Sequence, residues 1–174
     1  MLRSSIRLAT AADLPVINSI YNYYVLYSTC TYQTEPATAD ERAVWFGAHG
    51  PEYPVTVIEE AGEVIGWGSL SRYHARAAYR PTVENSVYVR HNRLARGIGR
   101  LLLEDLIERA REIGYHSIIA GISADQEPSV KLHSRLGFTK VGHLVEVGWK
   151  YGRWLDVVYM QLLLKGDAAR EIRP

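Results

Sequence analysis

Two glycines, Gly97 and Gly99, stand two positions apart in the stretch SVYVRHNRLARGIGRLLLEDL, where a β-like segment gives way to a leucine-rich helix. The first turn of a helix leaves its backbone N–H groups unpaired and carries partial positive charge, so it attracts anions. Glycine there lets a phosphate approach the main chain without a Cβ in the way. Arg90, Arg93, Arg96 and Arg100 crowd the same segment of a chain whose formal net charge is only +1. The chemistry that suits this spacing is the holding of a phosphate or diphosphate. Two known phosphate loops are excluded: a dinucleotide fingerprint needs a third glycine where this chain has Leu102, and a Walker loop needs a Gly-Lys-Ser/Thr that is missing. A helix start that only needs flexible backbone would show the same pair of glycines.

Other reactive residue types are sparse. The histidines (His49, His74, His91, His116, His133, His143) show no metal-ligand spacing such as HExxH, so no metal is expected. No Gly-x-Ser-x-Gly elbow is present to suggest a covalent intermediate. Cys30 is the only cysteine, so no intrachain disulfide can form, which suits a reducing compartment. The start, MLRSSIRLATAADLP, lacks the apolar core of a secretory signal, and no apolar run approaches membrane-span length. A cytoplasmic protein with no membrane or nucleic-acid partner is expected, because its charge is balanced overall and the arginines more simply surround a phosphate-bearing ligand. Tyrosine occurs 12 times against 2 phenylalanines, which suits half-wet cavities and interfaces.

The elements that must position these residues follow from periodicity and punctuation. SIRLAT alternates as a first strand, and Thr10 to Asp13 offers a capping pair for a helix carrying Leu14, Ile17, Ile20, Tyr21 and Tyr24 on one side. Thr38 to Glu41 repeats the capping pattern ahead of a short helix through Val44 and Trp45. PVTVIEEAGEVIGWGSL reads as a hairpin about Ala61-Gly62, SRYHARAAYRP as a loop, and TVENSVYV as a strand. A helix is predicted over Gly99 to Ile113, with Leu103, Leu106, Ala110 and Ile113 as its apolar stripe and Gly114 ending it. YHSIIAGIS is a strand, EPSVKLHSRLG a short helix with Pro128 in its first turn, and two strands close the chain before seven fraying residues. With no repeat or linker, residues 1–174 are expected to form a single domain of α/β (α+β) class, with a mixed sheet of about seven strands flanked by about four helices.

SVYV, seven further residues and then GIG before a leucine-rich helix resemble the acyl-CoA-binding segment of the GNAT N-acetyltransferase superfamily, and PSVKLHSRLGF resembles its second cofactor motif. TVENSVYV, PSVKLHSRLGF and VGWKYGRWLDVVYMQ together resemble the branch that acetylates phosphinothricin and methionine sulfone or sulfoximine. The resemblance implies the GNAT fold with a mostly antiparallel sheet, acetyl-CoA as cosubstrate, a small-molecule amine as acceptor and a homodimer. It implies that backbone N–H groups of Ala95, Arg96, Gly97, Ile98, Gly99 and Arg100 cradle the CoA diphosphate. It also implies that Val87, Tyr88 and Val89 pair with the pantetheine arm and supply the oxyanion donor. Two positions depart from the superfamily pattern: Leu94 stands where Gln or Arg is usual, and Gln126 replaces an Asn that partners pantetheine.

For the chemistry, the resemblance implies Glu84 as the group that takes the amine's proton, directly or through water. His133 stands where the wider superfamily often has Tyr; its imidazole could act as base toward the amine or acid toward the sulfur, and the residues leave that choice open. Attack is expected to be direct. Arg76 and Tyr79 match positions that bind the substrate carboxylate and its phosphinyl or sulfone oxygens, His74 stands where the branch can have Lys, and Tyr32 resembles an aromatic wall beside the amino-acid side chain. Acetyl transfer to another amine, such as a peptide N-terminus, and CoA binding without catalysis are the alternative readings.

Overall fold

The structure, a computed structural model, describes residues 4–164. The expected fraying of the last seven residues falls outside that range. The elements run in the expected order: β1 (Ser5–Leu8), α1 (Leu14–Tyr27), α2 (Ala39–Gly47), β2 (Val55–Glu60), β3 (Glu63–Arg72), β4 (Thr82–Val89), α3 (Ile98–Ile113), β5 (Ser117–Ser123), α4 (Glu127–Arg135), β6 (Thr139–Lys150) and β7 (Arg153–Leu163). Single 3-10 turns occur at Ala11–Asp13, Ala77–Tyr79 and His91–Arg93. The seven strands form one sheet in the order β1-β2-β3-β4-β5-β7-β6, antiparallel except where β4 meets β5. Among the described residues, no helix is long and apolar enough to cross a membrane.

The capping residues set the first helix. Asp13 accepts the Thr10 N–H at 2.7 Å and both ends of the Arg7 guanidinium at 2.8 Å. The arginine beside it is the main reason its carboxyl is lowered to about 2. Thr10 to Asp13 therefore opens a 3-10 turn that leads into α1 rather than opening the α-helix itself.

Helices cover both faces of the sheet. Leu103, Leu106 and Ala110 of α3 pack with Leu70, Val83, Ile118 and Met160 on one face. On the other, Ile17 and Ile20 of α1 pack with Val57 and Trp67. The contact of α3 with β3 is close enough that a Cβ on Gly68 would lie 3.0 Å from Leu106 Cδ1. Ile113, expected on the apolar stripe, is instead 38% exposed; it sits in the final turn before Gly114, whose φ of +97° turns the chain away, and it joins none of the buried clusters.

Alternation along β4 puts Glu84, Ser86 and Tyr88 on the α1 and α2 face, and Val83, Asn85 and Val87 on the α3 face. The parallel pairing of β4 with β5 covers only Thr82–Glu84 against Ser117–Ile119. Past that point both strands continue, but not as partners, and the sheet opens between them.

Candidate active site

That opening is the wall of a groove of about 940 Å³. Residues 85–89 of β4 and 120–123 of β5 form its sides, the loop before α3 closes one end, and α4 forms the floor. Six successive backbone N–H groups at its end, those of Ala95 through Arg100, donate to no protein group among the described residues. The chain is folded to present them: Ala95 and Gly97 take φ of +60° and +78°, with Leu101 N–H closing onto Gly97 O at 3.1 Å. Nothing lies within 4 Å of where a Gly97 Cβ would be. A row of free donors in an open concavity at a helix N-terminus fits a diphosphate.

The arginines of this loop contribute less charge than their number suggests. Arg96 makes a forked pair with Glu60 at 3.1 and 3.2 Å, Arg90 bonds Glu63, Arg93 approaches both carboxylates, and Arg100 holds Glu104 one helical turn on at 2.8 Å. The β2–β3 hairpin thus balances three of the four. Ile98 points its side chain into the core, so it too can serve a ligand only through its backbone.

Glu84 is half-buried, makes no hydrogen bond or ion pair among the described residues, and has its carboxyl pushed up by burial. Its Oε1 lies 3.5 Å from where a Cβ on Gly121 would stand; Gly121 lines the groove. Across β3, Glu84 is paired with Ser71. It lines neither of the two main cavities directly and sits at the apex where β4 and β5 part.

His133 lies on the opposite face of β4. It is buried on α4, with Nδ1 2.8 Å from Ser129 O and Nε2 3.0 Å from Asn85 Nδ2. A carbonyl only accepts, so Nδ1 carries the hydrogen and Nε2 the lone pair that the Asn85 amide engages. Burial pushes the imidazole below its usual value, so it is neutral at neutral pH. Asn85 is a site residue the sequence reading missed. Its only signal was position: alternation from Glu84 places it on the far face of the strand.

The other expected residues are spread around this centre. Gln126 lines the groove, but its Nε2 donates to Thr29 Oγ1 at 2.8 Å. The Tyr88 ring packs with Trp67 at a centroid distance of 4.8 Å, leaving its backbone to the groove, and Tyr24 OH donates to Val89 O at 2.5 Å. Tyr32 lines neither cavity; its hydroxyl is held by Asp156 O at 2.8 Å and Ser123 Oγ at 3.1 Å. His74, Arg76 and Tyr79 lie exposed on the β3–β4 connection, with the His74 and Tyr79 rings 4.8 Å apart and no ion pair to Arg76 among the described residues. They are not brought together with Glu84 and His133 within either cavity. Among the described residues no cluster of three or more His, Cys, Asp or Glu could hold a metal.

The chain as a whole has relatives among known proteins. Residues 6–159 match the acetyltransferase (GNAT) domain family. The chain is 43% identical to an L-amino acid N-acyltransferase of Escherichia coli, over 92% of this chain and 94% of the relative. It is 41% identical to an L-methionine sulfoximine/L-methionine sulfone acetyltransferase of Salmonella typhimurium, over 95% and 97%. A phosphinothricin acetyltransferase from Sinorhizobium meliloti, solved in complex with acetyl-CoA, superposes with a TM-score of 0.91 at 36% identity, covering 98% of this chain and 96% of that one. By the family match over residues 6–159 and the identities over most of its length, this chain belongs to the GNAT acetyltransferase family.

Proposed function

We propose that this acetyl-CoA-dependent N-acetyltransferase acts on the α-amine of a small amino-acid-like compound of the phosphinothricin, methionine sulfoximine or methionine sulfone type. The names of its relatives support that substrate class. The observation that carries the reading is the unpartnered Glu84 carboxylate where β4 and β5 part, beside Gly121 of a groove that presents six free amides at the loop before α3.

When bound, acetyl-CoA supplies the thioester carbonyl. The chain's own residues then divide the work. Amides 95–100 hold the diphosphate, and the free edge of β4 at Val87 to Val89 lines the arm and offers a fixed N–H to the developing oxyanion. Glu84 takes the ammonium proton, directly or through water, and burial makes its carboxylate a stronger base than an ordinary glutamate. Attack is direct. His133 has one ring nitrogen donating to a carbonyl and the other accepting from Asn85, and it lies across β4 from Glu84; this favours Glu84 as the base and leaves His133 to shape the thiol side of the groove. Gln126 lines the arm, Tyr32 the acceptor's side chain, and Arg76, Tyr79 and His74 its charged groups, with Arg76 free to pair with a carboxylate.

A homodimer in the cytoplasm, one domain per chain, completes the reading. The homodimer draws support from the sheet edge at β6, where Val145, Trp149 and the neighbouring Trp154 are 71%, 55% and 56% exposed. The test is turnover of acetyl-CoA with phosphinothricin, methionine sulfone, methionine sulfoximine and a short peptide, reading thiol release and product mass. Acetylation of the α-amine of the small compounds is expected; turnover confined to the peptide would overturn the substrate class.

A further inference from the structure

A second cavity, of about 300 Å³, lies on the other face of the sheet from the groove, under α1 and α2. Its walls include Tyr21, Arg42, Trp45, Trp67, Ser71 and Ser86, and it meets the groove at β4, since Ser86 and Tyr88 line both. Arg42 is its unusual member. The residue is 4% exposed, yet no carboxylate lies within ion-pair distance of it among the described residues. The rings of Tyr21 and Trp45 lie 4.5 and 4.7 Å from the guanidinium carbon, and Nε donates to Asn18 Oδ1 at 3.1 Å.

The rings account for the faces of the guanidinium but not for its donor edge. Neither terminal nitrogen donates to a protein group among the described residues. The one acidic side chain lining the cavity, Glu41, turns back to its own helix start, where Oε2 accepts the Thr38 N–H at 2.8 Å and the Thr38 hydroxyl at 3.0 Å. A second donor in the same wall, Trp67 Nε1, is buried without a partner among the described residues. Arg42 is 4% exposed and its terminal nitrogens are not among the sealed, partnerless atoms, so its donor edge opens onto the cavity. Largely burying a cation without a counter-charge is costly, and a guanidinium stays charged at any working pH. The cavity is therefore built to receive oxygens that carry negative charge or strong dipoles.

Register links it to the chemistry. Trp67, Ser69 and Ser71 of β3 pair across the strand with Tyr88, Ser86 and Glu84. The cavity thus runs along the same face as the Glu84 carboxylate and ends at its partner, Ser71. Two residues along a strand is about 7 Å, of the order of an amino-acid side chain's length.

We propose that this cavity is the specificity subsite for the oxygen-bearing head of the acceptor (phosphinate, sulfone, sulfoximine or side-chain carboxylate), with Arg42 as its forked donor. It rests on the acetyltransferase reading above, in that the amine waits at Glu84 while the head reaches Arg42. Arg76, on the exposed loop, is then left for the α-carboxylate.

Trp45 and Trp67 frame the subsite, so their fluorescence reads its occupation without turnover. Methionine sulfone, phosphinothricin and methionine should be titrated into wild type, Arg42→Lys and Arg42→Met, with acetyl-CoA affinity measured alongside as a check on the fold. In wild type the sulfone and phosphinothricin should change the signal and bind more tightly than methionine. In Arg42→Met those two should weaken by about 10- to 100-fold, the range for a charge-assisted hydrogen bond, with methionine changed by far less. Arg42→Lys, which keeps the charge but not the fork, should fall between. KM for the oxidised substrates should rise more than kcat falls. Equal losses for all three ligands, or none, would overturn the subsite, and so would a wild-type signal that does not distinguish the sulfone from methionine. Failure of wild type to acetylate any of them would instead overturn the functional reading, and the fluorescence arm would then stand as a test of binding alone.

Discussion

Asn85 Nδ2 stands 3.0 Å from His133 Nε2, and the direction of that bond is set from the far side of the ring, where Ser129 O takes the Nδ1 hydrogen at 2.8 Å. The amide must therefore donate, and its own oxygen is left buried without a partner among the described residues. Both features oppose a second proton on the imidazole, in the same direction as burial does. A carboxylate at position 85 would reverse the polarity, accepting from Nε2 and favouring the imidazolium.

The first prediction follows from that reversal. In wild type the folded value of His133 lies below its usual ~6.5, so its contribution to stability is full above that pH and is lost as pH falls toward the folded value. In Asn85→Asp the folded value should move above ~6.5, and the sign of the His133 contribution should invert. The imidazole resonances of the two proteins, followed against pH, check this. A His133 titration that does not move upward in Asn85→Asp would refute the assigned tautomer.

Glu84 presents the opposite case. Its carboxyl is raised by burial, with no cation or donor among the described residues to offset the charge, so folding favours the protonated form. Its contribution is present below the usual carboxylate range and lost as pH rises through the raised folded value, which leaves a destabilising charge at neutral pH. Glu84→Gln should therefore raise the melting temperature at pH 7, by about 2–4 °C for each kcal/mol relieved, with the gain vanishing near pH 4. The same change should lower kcat by about a hundredfold or more, since it removes the base. Activity retained in a stabilised variant would take Glu84 out of the reaction; a variant less stable at neutral pH would contradict its unpartnered burial.

Much of this was legible in the chain, and the division is physical. Strand and helix order came from periodicity, and the bounds of β4 coincide with TVENSVYV because alternation is local. The anion loop was legible because two glycines before a helix act through their own backbone. Residues whose meaning lies in a cross-sheet partner were not. The loop arginines read from sequence as phosphate ligands, but Glu60 and Glu63, some thirty residues earlier, face them in the fold. Asn85 and Arg42 gave no local signal, because one depends on α4 and the other on rings from two helices and β3.

Tyr32 and Gly148 supply a third prediction. The Tyr32 ring lies so close over Gly148 that a Cβ there would sit 2.4 Å from Cε2. Gly148→Ala must displace the ring and the bonds its hydroxyl makes to Asp156 O and Ser123 Oγ. Overpacking of this kind costs about 1–3 kcal/mol. In a Tyr32→Ala background the same substitution should cost little, so a double-mutant cycle by denaturant melts should give a coupling of similar size. Additive effects would mean that the ring simply moves aside.

The last prediction concerns the charge around the anion loop. Glu60 is the shared acceptor of Arg96 and Arg93, and its side chain is 12% exposed against 46% and 35% for the two arginines. If the six free amides do the holding, the arginines act mainly through the field they leave over, and Glu60 drains that field. Glu60→Gln should then tighten acetyl-CoA binding, by up to about fivefold, the worth of an exposed ion pair. The gain should fade in high salt, where screening shortens to a few ångströms. Arg96→Gln should weaken binding only modestly, whereas Gly97→Val, which forces a branched side chain into a φ of +78° and reshapes the amide row, should weaken it far more. Calorimetric titration of acetyl-CoA at two salt concentrations compares all three. Weaker binding in Glu60→Gln would mean that the arginine–glutamate pairs hold the loop in shape, and that the amides are presented only because the hairpin grips them from behind.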